Sequence, residues 1–229
     1  MDAIWDGLYL ASVWVLPALI AITLHEAAHG FAANALGDDT AKRMGRVSLN
    51  PLRHVDPFGT IVLPGLLLLL RSPFLFGYAK PVPVNFYRLS PPRMGMVLVA
   101  AAGPGMNLVL AFLAALAFHL VASLPEAAGP WVAANLENAI LLNLILAVFN
   151  MIPIPPLDGG RVAVGLLPRP LAFQLAKLER VGIFLVIGVL FLVPMLGREI
   201  GYDWAISSWL IGEPVEYLFR QIVSLAGLS

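Results

Sequence analysis

In the string Leu24-His25-Glu26-Ala27-Ala28-His29-Gly30 two imidazoles stand four residues apart, with a carboxylate beside the first. On a helix, positions i and i+4 share a face, so both rings can meet one metal ion. Glu26 is then placed to act as a base on a water at that metal. The chain has no cysteine. This removes thiolate nucleophiles, disulfides and cysteine-containing metal sites, and leaves His, Asp and Glu to hold an ion. Two His make an incomplete catalytic zinc site, which takes three protein ligands and an open position. The remaining candidates are His54, Asp56, His119 and Asp158. Asp158 follows the proline-rich string Asn150-Met151-Ile152-Pro153-Ile154-Pro155-Pro156-Leu157 and precedes Gly159-Gly160. Prolines end the preceding helix and glycines permit sharp turning, so a carboxylate can be carried back toward the His pair.

The elements that must position these groups are membrane spans. Of 229 residues, 59% are hydrophobic and 12% charged, against about 45–50% and about 25% in a soluble domain. Mean hydropathy is +0.85. A net charge of zero gives no basic field for nucleic acid. Leu8 to Leu36, Met94 to Ala122 and Leu136 to Ile152 are long enough to cross a bilayer, and Val181 to Leu196 is a shorter span. The first has no basic n-region or small-residue cleavage site, so it reads as a retained span and not a removable signal peptide. The 13-residue run Phe58 to Leu70, interrupted by Pro64-Gly65, is too short to cross and reads as re-entrant. With that run kept out of the count of spans, every Lys and Arg except Arg198 and Arg220 falls on one side, which the positive-inside rule makes cytoplasmic. The N-terminus, with Asp2 and Asp6, is then outside. In this topology the end of the third long span meets the same leaflet as His25 and His29, which makes Asp158 the third ligand. His119 falls near the outer end of its span and reads as a hydrogen-bonded interfacial residue. The stretch Trp204 to Leu228 carries Glu213, Pro214, Glu216 and Arg220 and reads as a broken span or an interfacial helix. The expected fold is an all-α polytopic membrane protein of one domain, residues 1–229, with about four to six transmembrane helices. A re-entrant and extended segment lies between the first two core helices, and 197–229 forms a C-terminal helical extension.

HEAAHG in a membrane helix, AAGPGMN, and NMIPIPPLDGGR together resemble the site-2 protease family of intramembrane zinc metalloproteases. GRVSLNPLRHVDPFGT and FGYAKPVPVN resemble its compact bacterial members, which lack a PDZ or CBS domain. The likeness covers roughly residues 20 to 165. It implies a zinc-dependent endopeptidase of the bacterial cytoplasmic membrane that holds one Zn2+ ion with His25, His29 and Asp158. It also implies Glu26 as catalytic base and cleavage of transmembrane protein substrates near the cytoplasmic boundary. It favours Asn150, then Asn107, near the substrate or its oxyanion. Hydrogen bonding between helices is the other reading of Asn107 and the preferred one for Asn143. Gly103 and Gly105 read as allowing close helix approach. His54 and Asp56 stay outside the metal set, lining the entrance or capping a loop. Ala79 to Phe86 is either an edge for pairing with an unwound substrate or a cover over the site. The implied partners are transmembrane substrates and the lipid bilayer, with no nucleic acid; the sequence does not set the oligomeric state. A metal-ion transporter and a catalytically silent client-binding protein are the competing functions. A non-ligand glutamate beside a three-ligand site favours hydrolysis over both.

Overall fold

The computed structural model of the chain describes residues 2–69, 77–199 and 205–228; Leu70, Arg71, Phe76 and Trp204, named above, lie outside them. Among the described residues there are helices and no strand. Three helices are long and apolar enough to cross a membrane: α1 (Asp2–Ala35), α2 (Pro92–Phe118) and α3 (Gly129–Asn150). The short α4 (Asp158–Leu166) follows α3. The stretch Arg169–Arg180 and α5 (Gly182–Gly197) meet at 81° and make a fourth span if counted as one. The described chain ends in α6 (Glu213–Leu225). This is a multi-pass, all-α membrane protein, at the lower end of the expected number of spans. Helix α3 begins at Gly129, ahead of the expected Leu136, because its first turns carry Pro130 and Asn135. Those residues lower the local hydropathy without ending the helix, and proline fits a first turn.

Helix α2 buries Gly95, Val99, Gly103, Asn107, Ala111 and Ala115, a row at four-residue spacing whose small side chains let neighbouring helices come close. Helix α3 lies parallel to α1. Near their starts Trp131 Nε1 donates to Ser12 Oγ (2.9 Å) and Asn138 Nδ2 to Val13 O (2.9 Å), and their far ends meet at the His pair and Asp158. Helix α2 is antiparallel to both, since Asn107 reaches Ala21 while Val99 reaches His29. The segment between α1 and α2 therefore leaves and returns on one side of the bundle, as the non-spanning reading of 58–70 requires. That run is a short helix, Pro57–Val62 continued by Leu63–Leu69. At ~1.5 Å per residue it reaches about 20 Å, short of a ~30 Å hydrocarbon core. Helix α6 packs Val215, Ile222 and the following Ala226 on Ala111, Ala115, Ile140 and Leu144. The preceding Leu210 and Ile211 rest on the Ile152–Leu157 cluster, and His119 Nε2 donates to Ala226 O (2.7 Å). The C-terminal helix thus runs along the bundle from the Asp158 end to the His119 end, and His119 holds a main-chain oxygen, as expected.

Residues 77–85 are extended but belong to no sheet. The N–H groups of Tyr78, Lys80 and Val82 donate to Gly59 O (3.0 Å), His54 O (2.8 Å) and the Glu26 carboxylate (2.8 Å). Alternating with them, Pro81 and Pro83 have no N–H, so the opposite edge cannot donate a ladder at those positions. The segment is a strap whose N–H groups tie it to Gly59, His54 and Glu26. His54 and Asp56 build its support. His54 is fully buried and its Nε2 donates to Ser48 O (2.9 Å). Asp56 caps the Pro57 helix, accepting the N–H groups of Phe58 (3.1 Å) and Gly59 (2.7 Å).

At the other end of the strap, buried Asp38 accepts the N–H of Asn85 (2.6 Å) and of Thr40 (3.0 Å) together with the Thr40 hydroxyl. Burial pushes this carboxyl up, but Thr40, Asn85 and the Arg88 guanidinium outweigh it and hold it below the ordinary carboxylate range. A folded-state value below the unfolded one stabilises the protein above the unfolded value, and the contribution is lost as pH falls toward the folded value. Asp38→Asn turns an amide NH2 toward one of these donors. It is expected to lower the thermal midpoint at pH 7 by a few degrees, on the order of 1–3 kcal/mol at about 2–4 °C each. The difference from wild type should shrink below about pH 4, read by unfolding in detergent at several pH values.

Candidate metal centre

The motif helix does what its spacing requires. His25 and His29 project from one face of α1, and their Nε2 atoms are 3.1 Å apart. Asp158, the first residue of α4, brings Oδ2 to 3.1 Å from His25 Nε2 and 3.4 Å from His29 Nε2. All three residues are buried or nearly so, and together they form a group with metal-ligating potential. Tetrahedral zinc at ~2.0–2.1 Å from its ligands sets them about 3.3–3.4 Å apart, close to the edges of this triangle.

Hydrogen bonding orients both imidazoles. His25 Nδ1 lies 2.6 Å from Asn107 Oδ1, and His29 Nδ1 lies 2.7 Å from Val99 O. Both acceptors take a proton on Nδ1, so in the neutral ring it is Nε2 that turns a lone pair inward. Asp158 Oδ2 is buried and finds no hydrogen-bond donor. Two imidazole lone pairs and a carboxylate oxygen facing one another repel unless a cation lies among them, so the donor set fits a metal.

The backbone around the triangle is shaped to leave that space open. A Cβ on Gly103 of α2 would sit 2.5 Å from His29 Nε2 and 2.6 Å from His25 Nε2. On Gly159 and Gly160 it would strike the main chain of Met151 and Pro155. These two glycines are helical and serve close backbone approach, where the sequence suggested turning. Gly105 meets nothing within 4 Å, so the close-approach reading holds for Gly103 alone of that pair.

A cavity of about 210 Å³ opens onto the centre, lined by Glu26, Val82, Val84, Phe86, Asn150 and Arg161 among others. Glu26 lies at its wall with Oε2 on the Val82 N–H. Asn150 is also at the wall, with Nδ2 donating to Leu146 O (3.0 Å). Arg161 stacks its guanidinium on the Phe86 ring at 5.4 Å and lies 3.7 Å from Glu179. Asn107 is fully buried with Oδ1 on His25 Nδ1 and is not among the residues lining the cavity. The sequence reading missed three contributors: the Val82 amide, the space left at Gly103, and the bond from Asn107 to a ligand. The four-residue step from Gly103 to Asn107 was the available signal for the last two.

Ala in place of Gly103 improves helix propensity while placing a methyl group in the ligand triangle. Gly103→Ala is therefore expected to fold and to lose its bound metal, whereas Gly105→Ala keeps it. Metal content of the purified proteins by elemental analysis checks both.

Known proteins share this arrangement of sequence. Residues 125–195 match the family model described as Peptidase family M50. The chain is 41% identical over 189 residues to the Bacillus subtilis protein named "Putative zinc metalloprotease YwhC", covering 79% of this chain and 80% of that one. It is 32% identical over 192 residues to the similarly named Rip2 of Mycobacterium tuberculosis, covering 84% and 70%. Rip2 of Mycolicibacterium smegmatis is 30% identical over 201 residues, covering 84% and 74%. No solved structure matches. Identity at the level of YwhC, sustained through most of both proteins, settles the kinship: the chain belongs to peptidase family M50, the site-2 proteases.

Proposed function

We propose that this zinc metalloprotease holds one zinc ion with His25, His29 and Asp158, uses Glu26 as its base, and cleaves transmembrane segments of other membrane proteins near the cytoplasmic boundary. The observation that carries this is the convergence of His25 Nε2, His29 Nε2 and Asp158 Oδ2 beside Glu26 in one cavity. His25, Glu26 and His29 lie within the apolar span Gly7–Ala35, which supports a substrate reached from the lipid phase. Intramembrane ionisable groups are expensive and are kept for function.

Zinc, when bound, supplies a positive charge that polarises a carbonyl and eases loss of a proton from water. The chain's own residues do the rest. The Val82 N–H holds Oε2 of Glu26, which fixes the carboxylate and leaves Oε1 to take the proton and pass it to the leaving amine. Asn150, at the cavity wall, has a second amide hydrogen to offer a developing oxyanion. Val82, Val84 and Phe86 give the cavity an apolar wall and, with the strap over it, limit water at the cleavage point. A substrate helix must unwind locally to present a carbonyl here, since its peptide groups are bonded to one another.

The side on which α1 ends and α2 begins carries Lys42, Arg43, Arg46, Arg53, Lys80 and Arg88. That asymmetry supports a cytoplasmic active-site end, with the start of α1 outside, in a bacterial cytoplasmic membrane.

Wild type and Glu26→Gln, each purified in detergent, are compared on a transmembrane peptide. The variant is expected to keep its zinc and cleave about 10²–10⁴-fold more slowly. Asp158→Ala is expected to lose the zinc. Equal cleavage by Glu26→Gln would remove it from the chemistry. Transport of zinc without cleavage by wild type would favour the transporter reading.

A further inference from the structure

We infer that Asn107 and Asn143 act as a directed amide chain that positions His25 and so sets the affinity of the centre for zinc. This rests on the zinc role of His25 proposed above. Asn143 Nδ2 donates to Ala139 O at 2.8 Å, which fixes which way its amide faces and turns Oδ1 toward Asn107. Asn107 Nδ2 donates to that oxygen at 2.8 Å and to Ala21 O at 3.3 Å. Its own Oδ1 is thereby left facing His25 Nδ1 at 2.6 Å. Each link has one workable orientation, because an amide turned over would set NH2 against N–H. The chain crosses three helices: Asn143 on α3, Asn107 on α2, His25 on α1.

Asn107 is fully buried, and Asn143 (2% exposed) and His25 (7%) nearly so, so the chain lies out of reach of bulk water. His29 differs, since its Nδ1 bonds the main-chain oxygen of Val99 and no side-chain change removes that acceptor. Of the two imidazoles, His25 is the one whose ring and proton are held by side chains. Partners of this kind, one bond behind a metal ligand, change metal affinity about 10- to 100-fold when removed.

The test is zinc affinity by competition with a chelator, measured beside the thermal midpoint of the metal-free protein. Asn107→Ala is expected to weaken zinc about 10- to 100-fold. Asn143→Ala, which touches no ligand, should weaken it less, in the same direction. Asn138→Ala is the control: it removes another Asn bond from α3 to α1 without connection to His25, and should lower the midpoint while leaving zinc affinity unchanged. Cobalt-substituted protein gives a second reading, with a shifted visible spectrum in the Asn107 and Asn143 variants only. Wild-type zinc affinity in Asn107→Ala overturns the proposal and leaves the zinc site standing. So does an equal loss in Asn138→Ala, which would make the effect one of helix packing. If Asn107→Ala does not fold, unchanged affinity in Asn143→Ala overturns it. Wild type that binds no zinc overturns both the site and the chain behind it.

Discussion

Three lone pairs turned toward one point inside an apolar bundle form the constraint on which the other features depend. With neutral imidazoles, His25, His29 and Asp158 repel one another in the absence of a cation, and burial leaves little solvent to screen that repulsion. The arrangement persists because each member is held from behind. Asn107 and the Val99 carbonyl hold the rings, and the close fit of Gly159 and Gly160 against the turn after α3 holds the start of α4. The α2 row of small residues has the same purpose. With Gly103 in that row, α2 comes near enough for Asn107 and Val99 to reach rings on α1 while the ligand triangle stays open.

The strap and its supporting loop protect a different requirement. The base proposed in this cavity must keep one orientation, and the Val82 amide gives Glu26 a donor that does not depend on side-chain rotamers. That amide is in turn fixed by its neighbours. Lys80 and Tyr78 are bonded to the loop of His54 and Gly59, and Asn85 is bonded to Asp38 directly after α1. The described parts of the segment between α1 and α2 thus close a circuit that starts and ends on the motif helix.

The features legible in the sequence were those governed by local periodicity or by counting crossings. His25, Glu26 and His29 follow from helix geometry alone. Asp158 required a topology, and charge asymmetry supplied one because the basic residues cluster so unevenly. The long spans were legible from hydropathy, with α3 shortened at its start because Pro130 and Asn135 look like a boundary. They lie inside the helix, where Asn135 bonds the main-chain oxygen of Trp131. The aim of Asn107 was not legible, because an asparagine in a span serves a substrate or a neighbour equally well until the facing helix is known. The Val82 contact was less accessible still, since a main-chain N–H carries no sequence signature. The flanking prolines did mark the strap as unfit for a sheet interior.

The choice of an amide behind His25, where a carboxylate would make the stronger hydrogen bond, follows from charge. A divalent ion with ionised Asp158 and Glu26 sums to zero, and the two imidazoles and the amides behind them add nothing. A carboxylate at position 107 would leave a net negative charge in an apolar span, where an unbalanced ion is costly. It would also lack the N–H that ties Asn107 to Asn143 and Ala21, so two buried acceptors would lose their donor. An asparagine meets both demands, accepting from the ring with one end and donating across the bundle with the other. Neutrality and directed hydrogen bonding therefore select the same residue, and the membrane makes the first demand as strict as the second.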